Sequence, residues 1–135
     1  MTWKTLLNFV IPGRPVPWKV PIFGKGASGK GRGRKDERLV AWQQQVQVYA
    51  RIAMADARSP PTEKLVRVRA TFILAKQPPD LTNLTKALED ACNGVIWIDD
   101  TQVIEHATRR IVNPSLSEST LFIVETYEPQ TSSAR

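Results

Sequence analysis

The distribution of hydrophobic and polar residues predicts strands along four segments. The first, Trp3 to Ile11, is rich in strand-forming residues and stops at a Pro-Gly pair. Residues 65–74 alternate apolar with polar positions, which is typical of a half-buried strand. Two further strands are predicted at about 102–112 and 120–126. The turn-rich connector at 113–117 favours a hairpin between these last two strands.

Two other segments carry apolar residues at helical spacing. Asp36 has the side chain of a helix N-cap and precedes the first helix. The second helix is expected from about Asp80 to the pair Asn93-Gly94, where a glycine suits the left-handed end of a helix. One mixed β-sheet packed against two helices, in a single α+β domain, is the simplest arrangement of these elements. The two apolar stripes are Leu39, Trp42, Val46, Tyr49 and Ala53, and Leu81, Leu84, Leu88 and Ala91.

Residues 12–35 show neither the alternation of a strand nor the helical spacing of apolar residues. This stretch is rich in Pro and Gly, and it carries no acidic residue before Asp36. A segment of this length inside a compact domain is usually functional or disordered, so we expect a flexible basic loop that orders on contact with a partner. The domain is expected to span residues 1–129, followed by a frayed tail at 130–135. The cations of the loop are Arg14, Lys19, Lys25, Lys30, Arg32, Arg34 and Lys35.

Charge is divided unevenly between the two halves of the chain. The 135 residues have a net charge of +6, and residues 1–60 hold 11 Lys and Arg against 3 Asp and Glu. This excess favours a polyanionic partner, although a basic protein with no such partner would have the same composition. The longest apolar runs have about four residues, so neither a membrane helix of ~20 residues nor a signal peptide is expected.

The supply of metal ligands is also restricted. With one cysteine and one histidine, the chain has no cysteine-based zinc cluster and no His-rich metal site. Any metal ion is therefore expected to be held mostly by oxygen, as magnesium, manganese and calcium are. Cys92 is expected to be a small buried hydrophobe, and His106 to have a structural role in its strand.

Carboxylates are concentrated in the middle of the chain. Asp80 lies where a strand gives way to a helix, and Asp99-Asp100 precedes another strand, so neighbouring strands would bring these carboxylates together. Converging carboxylates repel one another unless a divalent cation neutralises them. Two other interpretations remain open: Asp80 as a helix N-cap only, and Asp99-Asp100 as a turn only. The six acidic residues of this region are Asp80, Glu89, Asp90, Asp99, Asp100 and Glu105.

Lys86 adds a cation to the same region. It lies on one flank of the second helix with Thr82 and Asn83. An ammonium group beside a metal-bound phosphate can stabilise the charge that develops during phosphodiester cleavage. The alternative is a solvated lysine that pairs with Asp90, four residues further along the helix.

Residues 78–91 read PPDLTNLTKALEDA, and residues 93–103 continue NGVIWIDDTQV. Together they resemble the RusA family of Holliday junction resolvases, small phage and prophage endonucleases. The family pattern is Asp-x-Asp-Asn-Leu-x-Lys, a helix that ends in Asn-Gly or similar, and then Trp/Tyr-x-Asp-Asp-x-Gln-Val. The early Gly13-x-Pro15 segment is also similar to family members, but it is far less specific.

The resemblance implies a magnesium-dependent homodimer, with manganese as a substitute, that cuts four-way DNA junctions symmetrically. It implies that Asp80 and Asp100 are catalytic metal ligands, with Asp99 next to the second of them, and that Lys86 is the catalytic lysine. A phage or prophage origin implies action in the cytoplasm of a bacterial host. The basic loop is expected to hold the DNA backbone, and Trp18 to stack on an exposed base.

One position departs from the family pattern. The family usually has a second aspartate where this chain has Thr82, whose hydroxyl can coordinate magnesium but brings no charge. A DNA-binding protein of the same fold that has lost catalysis is therefore a second hypothesis. A nuclease of the restriction type is disfavoured because no acid-x-Lys pair follows Asp80 on a strand. An RNA-binding module is disfavoured because no matching aromatic pattern occurs.

Overall fold

Four long strands and two helices make up most of the chain. The computed structural model describes residues 2–20, 22–24, 32–34 and 36–129, with the backbone alone for residues 22–24 and 32–34. All four predicted long strands and both predicted helices are present. In chain order the elements are β1 (Thr2–Pro12), β2 (Ile22–Gly24), β3 (Arg32–Arg34), α1 (Glu37–Asp56), β4 (Val66–Leu74), α2 (Leu81–Cys92), a short 3-10 helix (Asp100–Gln102), β5 (Val103–Val112) and β6 (Ser119–Glu128).

The long strands form one mixed sheet in the order β1-β6-β4-β5. β6 is antiparallel to both of its neighbours, whereas β4 and β5 are parallel. In β4, Val66, Val68 and Phe72 are fully buried and the intervening Arg69 is exposed, as the alternation predicts. A single mixed sheet with two helices confirms the predicted α+β class.

The predicted hairpin between β5 and β6 is wrong, because β4 lies between these two strands. β5 follows β4 through α2, and a crossover helix of this kind is what allows two consecutive strands to pair in parallel. The chain then passes the end of β4, where the Asn113 amide donates a hydrogen bond of 2.9 Å to the Leu74 carbonyl. Turn residues at 113–117 therefore mark a connection across a neighbouring strand.

Helix α1 begins at its predicted cap. The Asp36 carboxylate accepts hydrogen bonds from the amides of Arg38 and Leu39, at 2.8 and 3.3 Å. The apolar stripe faces the core, and Val46 is fully buried. The two helices are joined by the buried Gln43 side chain, whose Nε2 donates to the Ala87 carbonyl of α2 at 3.0 Å.

Helix α2 packs its own stripe into the same core. Leu84, Leu88 and Cys92 are fully buried, which confirms the prediction for the cysteine, and the large side chains of Phe72 and Trp97 are buried beside them. Gly94 has a φ of +81°, so the chain leaves the end of α2 through the left-handed conformation that glycine adopts without strain.

The basic segment is not irregular throughout, because β2 and β3 pair antiparallel within it. Residues 25–31 and the tail 130–135 lie outside the described residues, as do the predictions made for them. Within the described ranges, no helix has the length and apolar character needed to cross a membrane.

Candidate active site

A cavity of about 350 Å³ opens between α2 and β5, the strand at one edge of the sheet. It combines acidic, basic and hydroxyl side chains from three consecutive elements. Its lining residues are Leu81, Thr82, Thr85, Lys86, Glu89, Asp90, Asp100, His106 and Thr108.

Helix spacing and strand pairing together create this cavity. Thr82, Lys86 and Glu89 follow one another at intervals of four and three, so they share one flank of α2. The hydroxyl of Thr85 lies 2.9 Å from the hydroxyl of Thr108 on β5 and 3.0 Å from the Leu81 carbonyl. This contact ties the helix to the edge strand beside the cavity.

The two predicted catalytic aspartates have different positions. Asp100 is the first residue of the 3-10 helix and lines the cavity. Asp80 immediately precedes α2, and its Oδ1 accepts a hydrogen bond of 3.1 Å from the Asn83 amide, so it is the N-cap of the helix. Asp80 is not among the residues that line the cavity. The N-cap interpretation thus describes its present contact, and its role as a ligand stays a prediction.

Asp99 is engaged in the local turn. Its carboxylate accepts hydrogen bonds from both the hydroxyl and the amide of Thr101, and these bonds hold the pKa of Asp99 below its ordinary value. The Gln102 side chain completes a capping box by accepting from the Asp99 amide at 2.8 Å. The turn interpretation therefore describes Asp99, while the adjacent Asp100 faces the cavity.

Lys86 is a cavity residue and also makes the predicted helix contact. Its Nζ is 3.9 Å from Oδ2 of Asp90 and 4.9 Å from the centroid of the Trp18 ring, a cation–π arrangement. The Trp18 amide donates a hydrogen bond of 2.9 Å to the Asn83 carbonyl. The start of the basic segment is therefore held against the first turn of α2, beside the cavity.

The structure adds two residues that were not predicted for the site, Glu89 and His106. Oε2 of Glu89 lies 2.9 Å from Nδ1 of His106. Burial raises the pKa of Glu89 and the carboxylates of Asp100 and Asp90 raise it further, whereas His106 lowers it. The three-residue interval from Lys86 to Glu89 was a visible signal in the sequence. The position of His106 was not, because it depends on the parallel pairing of β4 and β5.

Arg14, a predicted DNA contact, has partners inside the protein. Its guanidinium donates to Oε2 of Glu118 at 2.7 Å and to the Gln77 carbonyl at 2.8 Å. Glu118 also accepts a hydrogen bond of 3.0 Å from the Ala75 amide. This bond and the contact with Arg14 hold the pKa of Glu118 below its ordinary value. Arg14 therefore anchors the segment that leads from β4 to Asp80.

The other predicted DNA-binding cations are described to different extents. Lys19 lies 3.5 Å from the Asp36 carboxylate and keeps an exposed side chain. For Arg32 and Arg34 the structure gives the backbone of β3 only. Three cations lie outside the described residues, namely Lys25, Lys30 and Lys35.

The donors at the cavity fit a hard divalent ion held by few protein ligands. Within 2–20 and 36–129, no three His, Cys, Asp or Glu side chains are grouped in a way that could hold a metal. Magnesium, however, is usually held by one or two carboxylates, and water and phosphate oxygens complete its coordination. The Asp100 carboxylate and the Thr82 hydroxyl offer this kind of chemistry at one cavity.

The protein is a small α+β domain with a basic N-terminal half, and its cavity brings carboxylates next to a lysine. These features are suited to a protein that acts on phosphodiesters. A sequence profile described as Endodeoxyribonuclease RusA matches residues 12–117. The chain belongs to the RusA family, which confirms the resemblance found in the sequence, and this is a family of endodeoxyribonucleases. A comparison with curated proteins found no match.

Proposed function

We propose that this protein is a magnesium-dependent crossover junction endodeoxyribonuclease that resolves four-way DNA junctions by paired phosphodiester hydrolysis. The observation that carries the proposal is the meeting of Asp100, Lys86 and Thr82 at one cavity between α2 and β5. These residues come from the two motifs by which the chain resembles the resolvases, and the family match covers both motifs.

Asp100, Asp80 and the Thr82 hydroxyl are the residues that would hold the metal ion, with Asp99 as their neighbour. When bound, magnesium polarises the scissile phosphate and lowers the pKa of water, and manganese can supply the same chemistry. Asp80 immediately precedes α2 and lies two residues before Thr82, and its carboxylate caps the helix through the Asn83 amide, so binding a metal ion would require this carboxylate to share or to leave that contact.

Lys86 carries the positive charge that the transition state of the reaction needs. Negative charge builds on the phosphate oxygens during hydrolysis, and a fixed ammonium group in a partly enclosed site stabilises it. In the free protein, Asp90 and the ring of Trp18 contact Lys86 and hold its side chain beside the cavity. The phosphate would replace Asp90 as its principal partner.

The basic segment from Arg14 to Lys35 is proposed to hold the DNA backbone next to this cavity. Phosphate contacts carry little sequence information, so DNA shape is the expected basis of recognition. Two cuts related by symmetry require two active sites, and the chain carries one set of motif residues, so we propose a homodimer. The family resemblance supports action in the cytoplasm of a bacterial host on phage or prophage recombination and repair intermediates.

A second candidate is a structure-selective DNA-binding protein of the same fold with weak or absent catalysis. Thr82 favours this candidate, because it replaces the second aspartate of the family pattern with a neutral side chain. The ion pair of Lys86 with Asp90 favours it as well, because the ammonium is engaged before any phosphate arrives.

Cleavage of a synthetic four-way junction separates the two candidates. The substrate is compared with a linear duplex of the same sequence, in magnesium, in manganese, in calcium and in chelator. We expect paired nicks at symmetric positions of the junction in magnesium, little cleavage of the duplex and none in chelator. Selective binding without cleavage in magnesium or manganese would establish the second candidate, and equal cleavage of the duplex would contradict junction selectivity.

A further inference from the structure

Glu89 and His106 form a carboxylate–imidazole pair that joins α2 to β5 across the cavity. Their atoms Oε2 and Nδ1 are 2.9 Å apart, and the side chains are 18% and 56% exposed, respectively. The carboxylate is therefore the more enclosed of the two groups, and the ring is the more exposed. His106 pairs with Val68 of β4, which places it on the face of the sheet that the helices cover.

This contact determines which nitrogen of the ring meets a bound molecule. An ionised carboxylate only accepts hydrogen bonds, so Nδ1 of His106 carries the proton that lies towards Glu89. Nε2 is then the ring nitrogen left to interact with a substrate in the cavity. Burial raises the pKa of Glu89 above its ordinary value, and the contact with His106 opposes this rise.

Phosphodiester hydrolysis leaves one chemical need that the other residues do not meet. The departing oxygen leaves as an alkoxide unless it receives a proton as its bond to phosphorus breaks. Lys86 is engaged with Asp90 and Trp18 and is assigned to the phosphate charge. Imidazole is the side chain whose proton exchanges near neutral pH, which suits it to donate this proton.

Building on the proposed nuclease function, we propose that His106 is a further catalytic residue, which protonates the leaving oxygen through Nε2, and that Glu89 is its positioning residue. In this step the oxygen of water forms a bond to phosphorus while the bond to the leaving oxygen breaks. The electron pair of the broken bond stays on the leaving oxygen, which takes the Nε2 proton of a ring protonated at both nitrogens and leaves a neutral ring that keeps its Nδ1 proton towards Glu89. The proton of the attacking water passes to solvent, and the imidazole is reprotonated from solvent.

Replacing the leaving oxygen by sulfur tests the donor role directly, because a thiolate leaves without protonation. We expect His106→Gln to cut the ordinary junction about 100-fold more slowly than the unaltered protein, the lower end of the contribution of a general acid. On a junction with a bridging sulfur at the leaving position, the two proteins should cut at rates within about threefold.

Other outcomes of this experiment would overturn either the donor role of His106 or the proposed nuclease function. Equal rates of His106→Gln and the unaltered protein on the ordinary junction would overturn the donor role. The same large loss of rate in His106→Gln on both substrates would also overturn it, and would indicate a structural role for His106. Failure of the unaltered protein to cut either junction would overturn the proposed function itself, and the donor role with it.

The positioning role of Glu89 has a readout that needs no cleavage. His106 is the only histidine in the chain, so the nitrogen NMR signals of its ring are assigned without ambiguity. Whenever the ring is neutral, as it is after Nε2 has donated, we expect its proton on Nδ1 in the unaltered protein, and a shift towards protonation at Nε2 in Glu89→Ala. Glu105→Ala is the matched control, because Glu105 lies beside Arg67 at 3.8 Å on the other face of β5.

A ring tautomer that is the same in Glu89→Ala and in the unaltered protein would overturn the positioning role. So would an equal shift in the Glu105 control, since it would show a general response of the strand. In the cleavage assay, Glu89→Ala should lose about tenfold in rate, which is less than His106→Gln loses, because it removes the group that orients the ring and leaves the donor in place.

Discussion

Asp80 combines an observed structural contact with a proposed chemical role. Its carboxylate caps α2 through the Asn83 amide, and we propose that the same carboxylate binds the metal ion. Asparagine caps helices about as well as aspartate does, so Asp80→Asn removes the charge and keeps the cap. This substitution therefore separates the two roles, which Asp80→Ala would not.

We expect Asp80→Asn and Asp100→Asn each to reduce junction cleavage by at least about 100-fold, because a lost ligand removes the metal chemistry. Junction binding in calcium should stay within about twofold, because on our proposal affinity comes mainly from phosphate contacts of the basic segment. Single-turnover cleavage and gel-shift titration measure the two quantities. A variant that cuts at nearly the rate of the unaltered protein would show that the residue is not a ligand.

Thr82→Asp tests whether the cavity lacks one charge. The variant restores the usual family pattern and adds an anion on the flank of α2 that carries Lys86. If Thr82 occupies a ligand position, half-maximal cleavage should need less magnesium, and a magnesium titration of both proteins measures this. If Glu89, Asp90 and Asp100 already provide enough charge there, added repulsion would leave the requirement unchanged or raise it, and the ligand role of Thr82 would fail.

At the scale of helices and strands, local patterns in the sequence predicted the elements but not all of their partners. The apolar stripe through Leu39 and Val46 and the alternation in β4 show which face of each element is buried. A short stretch of sequence is enough to predict this. β5 pairs with β4 because α2 connects the two strands as a crossover helix. No local pattern in the sequence predicts this pairing. The predicted hairpin failed for this reason.

The same limit applied to the candidate site. Lys86, Thr82 and Asp100 lie in two motifs that the sequence shows directly, and they do line one cavity. Glu89 and His106 meet only because β5 runs parallel to β4 and beside α2. The half of the site that depends on helix spacing was therefore predictable, and the half that depends on strand pairing was not.

The pairing of β4 with β6 is expected to make stability sensitive to acid. Glu125 of β6 accepts two hydrogen bonds of 2.9 Å from Arg67 of β4, which hold its pKa below the ordinary value of 4.5. A carboxyl group whose pKa is lowered by folding stabilises the protein above its unfolded pKa and loses this contribution as pH falls through its folded pKa.

We therefore expect the thermal unfolding midpoint to fall on acidification below about pH 4.5, and to fall less steeply in Glu125→Gln. At neutral pH the variant should lose about 1–3 kcal/mol, since Arg67 loses its hydrogen bonds to a charged carboxylate and keeps only Glu105, at 3.8 Å, as an acidic partner. Calorimetry between neutral and acidic pH measures both effects, with the exposed Glu63→Gln as control. Parallel pH profiles for Glu125→Gln and the unaltered protein would contradict this assignment.

The basic segment that contains β2 and β3 should dominate the salt dependence of DNA binding. Each neutralised phosphate releases counterions and adds about 0.9 to the slope of log affinity against log salt on duplex DNA. Replacing Lys25, Lys30, Arg32 and Arg34 together by glutamine should flatten the slope by about that amount for each cation in contact. Replacing Arg51 and Arg58, cations outside the segment, is the control. An unchanged slope in the fourfold variant would show that these cations do not touch DNA.

At the scale of the whole molecule, the proposed reaction requires two cavities in one particle. We expect light scattering to report about twice the 15.2 kDa mass of the chain at micromolar concentration. The measurement is made with and without junction DNA, and Asp100→Asn allows the complex to be examined without cleavage. A stable monomer under both conditions would remove the support for paired cutting by a symmetric dimer.

The position of β6 also bears on how the chain folds during synthesis. β6 is the last strand among the described residues, yet it lies between β1 and β4. Until residues 119–128 leave the ribosome, the edges of β1 and β4 that β6 covers have no strand partner, and unpaired edges of this kind favour wrong association. The β4–α2–β5 unit that carries the cavity consists of consecutive elements and can form earlier. We therefore expect that on the ribosome the β4–α2–β5 unit forms first and that the four-stranded sheet is completed when β6 inserts between β1 and β4.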